Sequence, residues 1–329
     1  MQHRIDNHDG WTLSLFQTQP AQRTHARPLL IVPGFGMNSF IFSFHPNGLS
    51  MEAFLADKGF EVWRVDLRAQ GESHSARHDK YNFRLDDLAV TDLGAAVDYV
   101  SAHNGGERVD MIGASLGGTL MLAHAVLVKD HKLGAMVAIG SPLRWIEMNP
   151  LLRIAALMPE ALGLVRIRGT RAIAEHLLPP LAWLAPRMLA PYLNTKLTDI
   201  SRAAEMLRTV EDPNPWINRQ LAYWLRQRDL VLRGHNICTE LADVKNPLLT
   251  VLATYDGVVP RATALFPHSQ IGSSDKEVLE IGSSDMRLAH ADLFVSDPAQ
   301  ERVFAPVAAW LARPHSFAAA PLHHASGVK

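Results

Sequence analysis

The sequence predicts an α/β protein: a mostly parallel, doubly wound sheet with a helical insertion between two of its strands. Three observations carry this. Short apolar runs of strand length alternate with helical stretches from residue 29 to residue 140. The alternation stops at residue 143 and resumes at residue 247. A serine bracketed by glycines, Gly113-Ala114-Ser115-Leu116-Gly117, stands where a strand runs directly into a helix. Crossovers of one hand bring functional groups to the carboxyl ends of such strands, so reactive residues are expected just after them.

The elements follow in order. His3–Asn7 and Trp11–Phe16 flank Asp9-Gly10, a turn pair suited to positive φ, and read as a hairpin. Leu29–Val32 is apolar throughout, as a strand buried on both faces should be, and ends in Pro33-Gly34-Phe35-Gly36. A helix over Met51–Lys58, stopped by Gly59, leads to a strand over Glu61–Asp66, and Tyr81–Val100 is expected to be helical. Val109–Ile112, the helix after Ser115 and Ala135–Gly140 complete the first part. After the insertion come strands at Pro247–Ala253 and Glu277–Ile281 and a last helix over Ala299–Leu311. The boundaries implied are a core at 1–142 and 241–313, a helical cap at 143–240 without convincing strands, and a disordered tail at 314–329. His323-His324, in that tail, reads as floppy rather than metal-binding.

Serine attacks only when a histidine takes its proton, and a carboxylate must orient that histidine. The strand–turn–helix around Ser115 supplies the nucleophile: its strained turn demands small residues two positions before and after, here Gly113 and Gly117. With this turn the chain order serine, acid, histidine is expected. Asp256 follows the strand ending at Ala253, in Tyr255-Asp256-Gly257-Val258-Val259-Pro260. His290 follows the last strand, in an apolar loop; the rivals His235 and His268 do not lie directly after a sheet strand. Asp292 is the competing carboxylate, only two residues from His290 and better placed to brace the loop. A tetrahedral intermediate needs fixed N–H donors, expected from Leu116 and from Phe35 in the turn after Leu29–Val32.

These residues carry a resemblance. With Asp66-Leu67-Arg68-Ala69-Gln70-Gly71-Glu72-Ser73, close to an Asp-x-Arg-Gly-x-Gly-x-Ser segment, the chain resembles the α/β-hydrolase superfamily over its length apart from the insert and tail. Two departures stand out: Pro33 replaces the usual histidine of the family's His-Gly turn, and Ala114 the common histidine before the nucleophile. Phe35–Asn38, His45–Ser50 and Gly59–Trp63 look like the lipase and polyhydroxyalkanoate synthase/depolymerase branches. In the synthases the nucleophile is cysteine, and here it is Ser115. The resemblance implies a serine esterase or lipase with a Ser115–Asp256–His290 triad. The alternatives it leaves open are acyl transfer of the synthase kind, carbon–carbon bond hydrolysis by the same triad, and a non-catalytic interaction module. A carboxylate nucleophile, as in dehalogenases and epoxide hydrolases, is not present at position 115.

The insert should lie over Ser115 as an apolar roof, broken into short helices by its prolines, with Met158, Met188, Met206, Trp183, Trp216 and Trp224 among the candidate wall residues. Its arginines (Arg153, Arg166, Arg168, Arg171, Arg187) read as a solvated face. The partner expected is a small apolar ester. A net charge of −1 gives no footprint for nucleic acid. The single cysteine, Cys238, excludes an internal disulfide and a cysteine-based metal site; no metal or organic cofactor is implied. Residues 1–6 lack the build of a secretion signal and no apolar run reaches spanning length, so the expectation is a cytoplasmic protein with no stable membrane insertion. Oligomeric state, acyl chain length and physiological substrate stay open.

Overall fold

A nine-stranded sheet forms the centre of the computed structural model, which describes residues 1–75, 82–315 and 317. Its eight principal strands are β1 (Gln2–Asp6), β2 (Trp11–Thr18), β3 (Leu29–Val32), β4 (Val62–Asp66), β5 (Val109–Ala114), β6 (Leu133–Ile139), β7 (Leu248–Ala253) and β8 (Lys276–Ile281). They run in the order β1-β2-β4-β3-β5-β6-β7-β8, and the two-residue strand His74–Ser75 pairs with β2. Pairing is antiparallel for β1 with β2 and for β2 with β4, and parallel from β4 through to β8. The expected hairpin joins β1 to β2, with Ile5 opposite Leu13 and Gly10 at φ 76° in its turn.

Strands β3, β5, β6 and β7 are buried at every residue, which is why they read as apolar runs, interrupted only by Asp110 in β5 and Thr250 in β7. Their side chains alternate between two cores. Leu30, Val32 and Met111 pack with α2 (Leu93–His103) and α3 (Leu116–Leu127). Leu29, Ile31 and Ile112 face the layer that holds α1 (Met51–Asp57) and the C-terminal helix. Ser50 caps α1 by accepting from the Ala53 amide, and Gly59, at φ 88°, ends it. Before α2 the chain makes a π-helical turn over Asp87–Asp92, and Tyr81, the expected helix start, lies outside the described residues.

Between β6 and β7, which are hydrogen-bonded neighbours, the chain leaves the sheet for a run of helices: α4 (Pro150–Leu157), α5 (Pro159–Leu164), α6 (Thr170–Leu184), α7 (Pro186–Leu189), α8 (Ala203–Met206), α9 (Pro215–Gln227) and α10 (Ile237–Glu240). Arg144 and Asp229 pair through backbone and side chains (Nη2 to Oδ2, 2.7 Å) and so close the neck of this insert. Prolines open α4, α5, α7 and α9, where a missing N–H costs nothing. Pro179 and Pro180, however, lie inside α6 without ending it. Glu175 and His176, whose carbonyls lose a partner, are exposed, so water can serve them. A small hairpin, Val231–Leu232 with His235–Asn236, also falls in a stretch expected to lack strands; Arg233 and Gly234 turn it at φ 51° and 81°.

After β7 come α11 (Arg261–Gln270), β8, α12 (Asp292–Val295) and α13 (Ala305–Leu311). Of the tail from residue 314, residue 316 and residues 318–329, with His323-His324, lie outside the described residues; His315 packs on Trp310, ring centroids 4.3 Å apart. No helix among the described residues is long and apolar enough to cross a membrane.

Candidate active site

Ser115 sits between β5 and α3 at φ 51° and ψ −120°, a left-handed conformation that L-residues resist. The turn is sustained by close approach on both sides. A Cβ on Gly113 would stand 2.3 Å from the Gly118 Cα, and one on Gly117 would stand 2.3 Å from the Val32 carbonyl oxygen. Only glycine lets β5, α3 and the end of β3 meet so tightly. The Ser115 amide donates to the Ile139 carbonyl at 2.8 Å, which ties the turn to the end of β6. Leu116 begins α3, so its N–H belongs to the helix's positive end.

The turn after β3 lies against this serine: a Cβ on Gly34 would be 3.1 Å from both the Ser115 Cβ and the Ala114 carbonyl oxygen. With Pro33 in place of a histidine, other groups brace the turn. Gln70 Nε2 donates to the Gly34 carbonyl at 3.3 Å. The insert does the rest. Met37 bridges to Val210, the Glu211 amide donates to the Gly36 carbonyl at 2.9 Å, and the Asn38 amide donates to the Thr209 carbonyl at 2.8 Å. Asn38 Nδ2 also donates to the Arg208 carbonyl and to Glu211, whose carboxyl is pushed above its ordinary range by burial. The Asp66–Ser73 segment supports the same corner: Asp66 accepts from the Ser39 and Glu72 amides, and Arg68 is buried in a fork on Asp92.

Asp256 and His290 lie in the loops after β7 and β8 and are brought together. His290 Nδ1 is 2.6 Å from Asp256 Oδ2, with both side chains buried, while Asp256 Oδ1 accepts from the Val258 and Val259 amides at 2.8 Å each. This fixes which ring nitrogen faces the acid and leaves Nε2 for chemistry. Gly140, at φ 55°, makes room for the pair: a Cβ there would be 3.1 Å from His290 Cε1 and 3.4 Å from Asp256 Oδ2. Ser115 and His290 therefore both abut the end of β6, one through Ile139 and the other through Gly140. Among the described residues the Ser115 hydroxyl makes no hydrogen bond to the ring.

The rival residues go elsewhere. His235 meets Glu240 at 2.7 Å in the small hairpin, and His268 lies in α11. Asp292 makes no hydrogen bond to the imidazole but accepts from Asn194, Thr198 and Ala289. Cys238 is buried, its thiol pushed up to about 11 by desolvation, which makes it a packing residue rather than a second nucleophile.

A narrow cleft runs past Phe35 and Leu116, walled by Met37, Phe83, Leu120 and Ile217. A second cavity within the insert, lined by Leu164, Ile167 and Trp216, shares Asp212 and Pro213 with it as wall residues. Of the other candidate wall residues, Met206 and Trp224 are buried in packing, Trp224 donating to the Leu143 carbonyl, whereas Trp183 and Met188 stand out into solvent. No cluster of three His, Cys, Asp or Glu side chains fit to hold a metal occurs among the described residues.

Comparison with known proteins agrees with this fold. A family model described as the alpha/beta hydrolase fold matches residues 27–284. A probable lipase of Schizosaccharomyces pombe is 29% identical over 150 residues, 42% of this chain and 33% of that protein. The poly(3-hydroxyalkanoate) polymerase subunit PhaC of Haloferax mediterranei is 26% identical over 301 residues, 84% of this chain and 59% of that protein. The chain thus spans about a third of one relative's length and three fifths of the other's. Among solved structures, a thermophilic esterase of Thermogutta terrifontis superposes with a TM-score of 0.60 at 17% identity, covering 94% of this chain and 98% of its own, a likeness of fold.

Proposed function

The chain belongs to the alpha/beta-hydrolase fold family, and on that premise we propose that it is a serine hydrolase cleaving carboxylic esters with an apolar acyl or alcohol part. Ser115 attacks the ester carbonyl while His290 Nε2 takes its proton, and Asp256, on Nδ1, holds the ring and stabilises the imidazolium. The amides of Leu116 and Phe35 meet the oxyanion. Collapse of the intermediate expels the alcohol, which takes the proton from His290 and leaves an acyl group on Ser115. Water, deprotonated by the same imidazole, releases the acid. The insert acts as the cap over the site, with its boundaries near residues 143 and 240. No metal or organic cofactor enters this sequence of steps.

The observation that carries the reading is the buried 2.6 Å contact of His290 with Asp256 beside a serine held in a strained strand-to-helix turn. Acyl transfer is the second reading, favoured by the long match to a polymerase subunit. It uses the same acyl-enzyme with an alcohol in place of water.

The test is a panel of p-nitrophenyl esters of increasing chain length, with wild type and Ser115→Ala. A fall of at least about a thousandfold on substitution is expected. Turnover surviving in Ser115→Ala sinks the nucleophile assignment. A fluorophosphonate adduct on Ser115 without turnover of any ester would move the reading to transfer.

A further inference from the structure

The loop that carries His290 is held from inside the insert. The Asp292 carboxylate is wholly buried and gathers N–H and O–H groups from two distant segments. From the insert it accepts the Asn194 amide at 3.0 Å and the Thr198 hydroxyl at 2.9 Å; from its own loop it accepts the Ala289 amide at 2.8 Å. All of these donors are neutral. Burying a carboxylate is costly, and burial does push this one above its ordinary range, so its retention on neutral donors calls for a reason beyond packing.

Its neighbours point the same way. The Ala291 amide donates to the Tyr192 carbonyl at 2.8 Å, so the residues on both sides of His290 are tied, Ala289 to Asp292 and Ala291 to the insert. The Gly257 amide donates to the Pro191 carbonyl at 2.9 Å, which ties the turn after Asp256 to the same strap. Asn194 Nδ2 donates to the Arg287 carbonyl at 2.8 Å, and the Asp297 amide to the Leu197 carbonyl at 2.8 Å. One segment, residues 191–198, therefore spans the acid turn and the histidine loop and sets their spacing.

We propose that Asp292, with Asn194 and Thr198, is a positioning residue for His290: it fixes the histidine loop to the insert so that the imidazole keeps its aim between Asp256 and the serine. This rests on the triad reading above. Asp292 makes no hydrogen bond to the ring. It acts through the Ala289 amide before His290 and through its own anchorage to the insert after it, so its loss should slow proton transfer without altering how substrate seats.

The experiment compares wild type with Asp292→Ala, Asp292→Asn and Thr198→Val in the full chain, each first checked for folding by thermal melting. Readouts are kcat and KM on p-nitrophenyl butyrate and the rate of fluorophosphonate labelling of Ser115. Misplacing a catalytic group by about an ångström can cost about a hundredfold. Asp292→Ala is therefore expected to lose about 10- to 100-fold in kcat and in labelling rate, with KM within about twofold. Asp292→Asn, whose amide oxygen can still accept from Asn194 and Thr198, should recover part of the loss. Thr198→Val keeps shape and removes one tie, so it decides the matter if the Asp292 variants do not fold; a kcat loss of several-fold at unchanged KM is expected. Folded variants with kcat within twofold of wild type, or with a raised KM at unchanged kcat, overturn the proposal. Ser115→Ala assayed alongside separates the two failures: activity surviving there removes the triad, whatever Asp292 does.

Discussion

The two halves of the insert have opposite fates, and the half richer in apolar residues is the more exposed one. In residues 143–190, Leu151, Leu157, Leu164 and Trp183 are each more than three-quarters exposed, at 77%, 78%, 81% and 82%. On α6, Ile173, Leu177 and Leu184 form an outward stripe, while Ala182 is buried and Leu178 packs inward. In residues 191–240, Leu193, Leu207, Ile217, Trp224 and Leu225 are buried, and two short backbone segments, 191–198 and 208–211, bond to the histidine loop and to the turn after β3. Apolar content alone does not make a roof. What distinguishes the inner half is that its main-chain groups find partners in the loops at the carboxyl ends of β3, β7 and β8.

The largest effect that can break this contrast is on stability. Leu193→Ala, in the inner half, should lower the unfolding free energy by about 2–5 kcal/mol, whereas the same truncation at Leu177 should change it by about 0.5 kcal/mol or less, both read from urea denaturation. Equal losses would show that the outer half is held as firmly as the inner. Next comes Asn38→Ala, which removes the side-chain ties from the turn after β3 to Arg208 and Glu211. A kcat loss of about 10- to 100-fold on a short ester is expected, and no loss would mean that the backbone bonds alone suffice.

Acid supplies a smaller probe from outside the insert. His131, between α3 and β6, has its pKa lowered to about 4 by burial, below the ordinary 6.5, so the neutral ring is the folded form. Its contribution is complete above pH 6.5 and is lost as pH falls from there towards 4, on the order of 2 kcal/mol. His131→Asn should flatten that fall in urea midpoints measured between pH 7 and pH 4. Asp292 runs the other way, since a raised carboxyl pKa favours the folded state as it takes up a proton. The smallest effect is expected for Trp183→Ser: short-ester kcat within about twofold of wild type and stability within about 0.5 kcal/mol. A large loss of either would show that this exposed ring works inside the site.

What depends on near neighbours was legible in the letters. Period and apolarity marked the buried strands, and glycine spacing around Ser115 marked a turn only small residues permit. The placement of Asp256 and His290 after strands followed from the direction of a parallel sheet. Long-range contacts set which side chains the insert buries, that Glu211 and Asn38 brace the turn after Pro33, and that Asp292 bonds to Asn194 and Thr198 rather than to the imidazole. Trp183 and Trp224 look alike as letters, yet one lies in solvent and the other in the core. Pro179 and Pro180 stay within a helix whose exposed carbonyls water can serve. The reason is range: periodicity and turn chemistry act over a few residues, whereas these contacts join segments about a hundred residues or more apart, and no local pattern records which distant partner a backbone amide will meet.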